Sequence, residues 1–185
     1  MLIHDKKTLK EFLDYELSKY GNSRFNFLGI TENQILKKHQ IILRKTEYFV
    51  NTNNKIMSLI YRLRLSRIQN KYSLHIPINV CDKGFKIMHL GPILINNNAK
   101  IGKDCTMHIN TCIVAGGTDN KVPTLNNGIV IGCGAVILGG VTLANNIAVG
   151  ANAVVNKSFE EEDIAIAGVP AKKISNNGRT KWNKK

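Results

Sequence analysis

Five histidines are the side chains best suited to moving protons near neutral pH, because an unperturbed imidazole titrates near 6.5. They are His4, His39, His75, His89 and His108, and the last two lie 19 residues apart. His89 interrupts an apolar stretch and is followed by Gly91, which would leave room for a ligand. A positioned imidazole can take the proton of a hydroxyl, which is too weak an acid to attack unaided at neutral pH. On spacing alone, two imidazoles satisfied at the surface is the plainer account. The cysteines, Cys81, Cys105, Cys112 and Cys133, include no C-x-x-C pair and no Cys/His run of zinc-finger spacing. Covalent chemistry would fall to Cys105 or Cys112, but Cys105 sits where packing explains it. A zinc site of three histidines would need one more than His89 and His108, the two read as lying in the repeat described next, so no metal is expected.

The elements that must position these groups follow from a change of period. Ile95, Ile101, Met107 and Ile113 recur every six residues, and so do Ile131, Ile137, Leu143, Val149 and Val155. A second track of mostly small residues runs four later: Ala99, Cys105, Thr111, Ala135, Val141, Ile147 and Ala153. Gly follows the anchor at Gly102, Gly132 and Gly150. Six fits neither a 3.6-residue helix nor an alternating strand. It fits a three-sided coil, one short strand per side, with anchors inward and Gly or Asn at the bends. Stacked coils lie about 4.8 Å apart, so His89 and His108, one coil plus one residue apart, would be neighbours. Thr118-Asp119-Asn120-Lys121-Val122-Pro123 breaks the pattern. It either replaces two sides or projects as a loop, and such insertions often carry function.

Before the coil the pattern is helical. Thr8 to Glu11 reads as a capping box, followed by Leu9, Phe12, Leu13, Leu17 and Tyr20, with Gly21 as the stop. Thr31 and Gln34 open a second helix with an irregular apolar face of Ile35, Ile42, Leu43 and Phe49. Asn51 to Asn54 reads as a turn. A third helix places Ile56, Leu59, Ile60, Leu63 and Ile68 together, with Arg62, Arg64, Arg67 and Lys71 elsewhere, and Pro77 closes the region.

The 185 residues carry a formal charge of +13, which draws phosphate groups or polyanions unless it is only a lysine-rich surface. The basic third helix could meet a membrane surface peripherally; a nucleic-acid partner is not expected. An aromatic share of 6% suits a slim core. With no apolar run near the roughly 18 residues a span needs, and no disulfide framework, a cytoplasmic setting is expected.

The six-residue period, together with Gly168-Val169-Pro170-Ala171-Lys172, resembles the hexapeptide-repeat acyltransferases. Ile87-Met88-His89-Leu90-Gly91-Pro92-Ile93-Leu94-Ile95 is similar to the catalytic-histidine segment of their serine acetyltransferase branch, and the likeness covers about residues 50 to 174. The resemblance implies a mainly β fold, a left-handed parallel β-helix with an N-terminal α-helical region. It divides the chain into helices over 1–76, the β-helix over 77–174 and a basic tail over 175–185. It implies a homotrimer, or two trimers paired through the helices, with acetyl-CoA as co-substrate in a groove between subunits. His89 would then be the general base and His108 its neighbour. A backbone N–H of Gly116-Gly117 would steady the developing oxyanion. Gly134 and Ala151 would lie along the pantetheine arm, with Lys172 and Lys173 at the phosphates.

The chain departs from the branch at Leu74 and Met88, where it has Asp, and at Val122, where it has His before proline. Those departures favour a sugar or polysaccharide hydroxyl as acceptor, as in relatives encoded with surface-polysaccharide genes. Serine O-acetyl transfer is the alternative. A zinc lyase on the same coil and an inactive β-helix scaffold are the rivals.

Overall fold

The computed structural model describes residues 2–182 apart from 22–24, 27 and 119; Asp119 of the interruption and Lys184 and Lys185 of the tail lie outside it. Three helices come first: α1 (Lys6–Ser18), α2 (Glu32–Asn51) and α3 (Lys55–Tyr72). The cap of α1 is Asp5, not Thr8. Its carboxylate accepts from the Thr8 backbone N–H at 2.8 Å and from the Thr8 hydroxyl at 2.9 Å, so the threonine is itself held by the cap. α2 starts after Thr31, and Asn54 caps α3. α3 ends at Tyr72 with Ser73 in the left-handed conformation, before Pro77 is reached. Its buried face is Tyr61, Leu65 and Ile68, whereas Ile56, Leu59 and Leu63 stay exposed. The apolar ridge read from the sequence is therefore mostly its outer side.

Short strands then follow one another. They are β1 (Leu74–His75), β2 (Lys86–Ile87), β3 (Ile93–Ile95), β4 (Lys100–Ile101), β5 (Thr106–Met107), β6 (Thr111–Val114) and β7 (Thr124–Leu125). After them come β8 (Val130–Ile131), β9 (Val136–Leu138), β10 (Thr142–Leu143), β11 (Ala148–Val149), β12 (Val154–Val155), β13 (Ala165–Ala167) and β14 (Lys172–Ser175). They stack into three parallel faces, β1-β3-β6-β9-β12, β4-β7-β10 and β2-β5-β8-β11-β13, closed by β14 running antiparallel on β13. This is the left-handed β-helix, preceded by helices. His75 lies on its first strand, paired with Leu94, so it belongs to the coil as His89 and His108 do.

All nine anchors are buried, between 0% and 3% exposed, and every residue of the second track is buried too. Each aliphatic anchor contributes about 1.5–3 kcal/mol by leaving water. Bends are made by Asp104, Asn110, Asn146 and Asn152, and by Gly134, all at positive φ just before a residue of the second track, and by Gly128 just before the buried Ile129. The glycines that follow anchors do something else. A Cβ on Gly132 would stand 2.7 Å from the Ala151 nitrogen, and one on Gly102 2.8 Å from the Asn126 carbonyl carbon, so they permit close stacking of coils.

The interruption is an added loop. Ile95 pairs with Ile113, 18 residues on, but Ile113 pairs with Ile137, 24 on. Leu125 keeps the six-residue phase on the far side, pairing with Ile101 and Leu143. The basic tail is not wholly free, since Arg179 in α4 (Arg179–Trp182) hydrogen-bonds the Asp104 carbonyl.

Helices and coil are joined through buried charge. Arg44 is 1% exposed and reaches Glu16 at 2.7 Å, Glu47 at 2.8 Å and the carbonyls of Cys81 and Asp82 at 2.8 and 2.9 Å. Glu16 also accepts from the Gly84 N–H and Glu47 from the Asn79 N–H. His39, fully buried on the same helix, is driven down to about 4 by burial and by Arg44. Its folded value lies below the ordinary 6.5, so between the two the unfolded chain binds the extra proton. Stability is therefore complete above about pH 6.5 and lost as pH falls toward 4, by about 3 kcal/mol through this imidazole. Melting temperature followed from pH 7 to 4.5 should fall less steeply in His39→Leu than in the parent; parallel slopes would remove the assignment.

Candidate functional site

His89 follows β2, which two contacts pin. The Ile87 N–H donates to the buried Tyr20 hydroxyl at 2.9 Å, and the Met88 N–H donates to the Met107 carbonyl at 2.9 Å. The His89 side chain is 56% exposed, and its Nδ1 lies 3.2 Å from Oε2 of Glu32. The other Glu32 oxygen accepts from the Leu90 N–H at 2.8 Å. Chiefly because of that backbone bond, the Glu32 carboxyl is held below the usual carboxylate range. Nothing in the sequence marked Glu32, which stands 57 residues before His89 in the helical region.

His108 follows β5 on the next coil, and its ring centre lies 6.3 Å from that of His89, tilted by 48°. The two histidines are thus brought together. Burial, then His89 and Lys86, lower the His108 value, so its imidazole favours the neutral form. Its carbonyl accepts from the Thr111 hydroxyl at 2.9 Å, which fixes the turn after the histidine. The room expected at Gly91 is occupied, because a Cβ there would meet Ile109 Cγ2 at 2.9 Å. Leu74 is 1% exposed and belongs to the core.

The glycine and lysine candidates divide. The Gly116 N–H donates to the Lys121 carbonyl at 2.9 Å, closing the inserted loop. That leaves Gly117, where an added Cβ would meet nothing within 4 Å, as the open member of the pair. Gly134 is required by the fold: it has φ +73°, and a Cβ would run into the Asn152 side chain. Ala151 is exposed on the turn stacked over Gly132. Lys172 and Lys173 are exposed on β14, and Lys173 pairs with Glu161 at 2.5 Å. Cys105 is fully buried and its thiol pushed up to about 12, which leaves it little thiolate for nucleophilic work; Cys112 is half-buried. Among the described residues no group of three His, Cys, Asp or Glu is placed to hold a metal ion, and no helix is long and apolar enough to cross a membrane. A cavity of about 830 Å³ opens between α2 and α3 beside Tyr61, Arg64 and Lys71, and neither histidine lines it.

Serine acetyltransferase from Buchnera aphidicola subsp. Acyrthosiphon pisum (strain APS) is 32% identical over 145 residues, covering 75% of this chain and 51% of that protein. The putative colanic acid biosynthesis acetyltransferase WcaB of Escherichia coli (strain K12) is 36% identical over 83 residues, covering 44% of this chain and 51% of that protein. The chain thus spans about half the length of these relatives. The solved serine acetyltransferase from Brucella abortus strain S19, in complex with coenzyme A, superposes with a TM-score of 0.68 at 18% identity, over 94% of this chain and 70% of that one. No protein-family model matches the chain.

Proposed function

We propose, from a fold shared with serine acetyltransferases and a sequence similar to theirs, that this chain transfers acetyl from acetyl-CoA to a hydroxyl group. The observation that carries the reading is the pair His89 and His108, 6.3 Å apart on neighbouring coils of that fold. His89 turns Nδ1 toward Glu32, which leaves Nε2 to accept the acceptor's hydroxyl proton. The hydroxyl oxygen then bonds to the thioester carbonyl carbon, the carbon–sulfur bond breaks, and His89 returns the proton to the departing thiolate. His108, favouring its neutral form, orients the acceptor. The Gly117 N–H is the donor offered to the carbonyl oxygen. Ala151 leaves space along the coil, and Lys172 provides a mobile charge for phosphate, with Lys173 shared with Glu161. The subunits form a trimer with the donor in the groove between them.

The serine acetyltransferases among the similar proteins weigh toward L-serine as acceptor, ahead of the sugar expected from the sequence. A sugar hydroxyl is kept as the second reading by Leu74, Met88 and Val122, and by the likeness to the colanic acid protein. Thiol release from acetyl-CoA, measured with L-serine and with a panel of mono- and oligosaccharides, decides between them. At least tenfold higher kcat/KM for one class assigns the acceptor, and no acceptor-dependent release from any hydroxyl would overturn the acetyltransferase reading.

A further inference from the structure

We infer that Glu32, from the first turn of α2, is the positioning residue that fixes the His89 imidazole. The inference rests on His89 as the base. Leu74, on the first strand of the coil, is packed into the core at 1% exposure and offers His89 no carboxylate. One comes instead from a different element.

Two bonds aim it. Oε1 accepts from the Leu90 N–H at 2.8 Å, which ties the carboxylate to the backbone next to His89, and Oε2 then lies 3.2 Å from Nδ1. A carboxylate can only accept at that nitrogen. Nδ1 must therefore carry a proton, and in the neutral ring Nε2 is left bare to act as base. The helix is anchored from behind by Arg44, which grips Glu16 of α1 and the Cys81 and Asp82 carbonyls of the first coil. Glu32 thus reaches His89 from a braced element. The charged and titratable groups that interact with His89 among the described residues are Glu32 on α2 and His108 on the next coil, and Lys86 on the strand before His89 acts on His108.

Glu32→Gln tests this, because the amide keeps an acceptor for the Leu90 N–H while losing the charge. Nitrogen NMR of the His89 ring in the full chain, with no substrate present, should show the ring proton move from Nδ1 toward Nε2 once the accepting carboxylate is gone. In acetyl transfer kcat should drop about tenfold to a hundredfold with KM for acetyl-CoA unchanged. Glu32→Asp should recover part of both. If the ring's tautomer is the same in Glu32→Gln as in the parent, Glu32 merely serves the turn and the inference is wrong. If the ring responds but His89→Ala still turns over, the positioning stands and the choice of base falls.

Discussion

His89→Ala is expected to lower kcat by about 10²- to 10⁴-fold, the range a positioned general base supplies, while acetyl-CoA binding and melting temperature stay near those of the parent. The reason for the first half is chemical. An alcohol keeps its proton at pH 7, and among the described residues the imidazoles next to each other on the coil are His89 and His108. His108 is the weaker candidate, since burial first, and then the neighbouring His89 and Lys86, depress its basicity. The reason for the second half is structural. The His89 side chain is 56% exposed, and its polar contact among the described residues is to an exposed glutamate, so its removal opens no cavity. His108→Ala should cost less in kcat and more in KM for the acceptor. Equilibrium binding of acetyl-CoA beside steady-state rates checks the split, and a His89→Ala enzyme with parental kcat would remove the assignment.

The largest effect on stability is expected at Arg44. Arg44→Ala should destabilise by about 3–5 kcal/mol, because it strands two buried carboxylates that were paired. At roughly 2–4 °C per kcal/mol for a chain of this size, the melting temperature should fall by roughly 6–20 °C. Glu16 is 0% exposed and Glu47 2%, so neither can turn to water when the guanidinium goes. The Cys81 and Asp82 carbonyls lose a donor in the same step. Replacing Arg44, Glu16 and Glu47 together by apolar residues of similar volume should recover only the part owed to unpaired charge, since the Gly84 and Asn79 N–H groups and the Cys81 and Asp82 carbonyls would still lose their partners. Thermal melts of the single and triple variants test this. A single variant within 1 kcal/mol of the parent would mean the network is solvated and α2 is held by other means.

The coil was legible because its rule is repeated. Inward positions at Ile95, Ile101 and Met107 differ in shape but not in apolar character, and one phase carries them all. Leu125 lies 12 residues after Ile113 and keeps the phase, but the inserted loop between them hides two of its steps. The helices were less legible on their buried faces. α2 buries Gln40, Arg44 and Glu47 alongside Leu36 and Leu43, so hydrophobic periodicity alone gives an irregular stripe. α3 has apolar residues on two faces, and packing against α2 buries Tyr61, Leu65 and Ile68 rather than the longer ridge.

At the site, His89 and His108 could be paired from their 19-residue separation, because coil stacking is regular. Glu32 could not be paired with His89 by any local rule, because its place depends on how α2 docks on the coil. Gly91 looked like space for a ligand, but the neighbouring coil fills it with Ile109. A glycine in a stacked coil reports the coil above it before it reports a ligand.

The central claim is that this coil moves an acetyl group from a thioester to an oxygen. The most direct measurement incubates the purified chain with acetyl-CoA labelled in the acetyl group and a hydroxyl acceptor, and follows label and free thiol together. The account predicts one O-acetyl ester for each thiol released, with both dependent on the acceptor and both lost in His89→Ala. Label retained on the protein at Cys112, or thiol release indifferent to the acceptor, would contradict it.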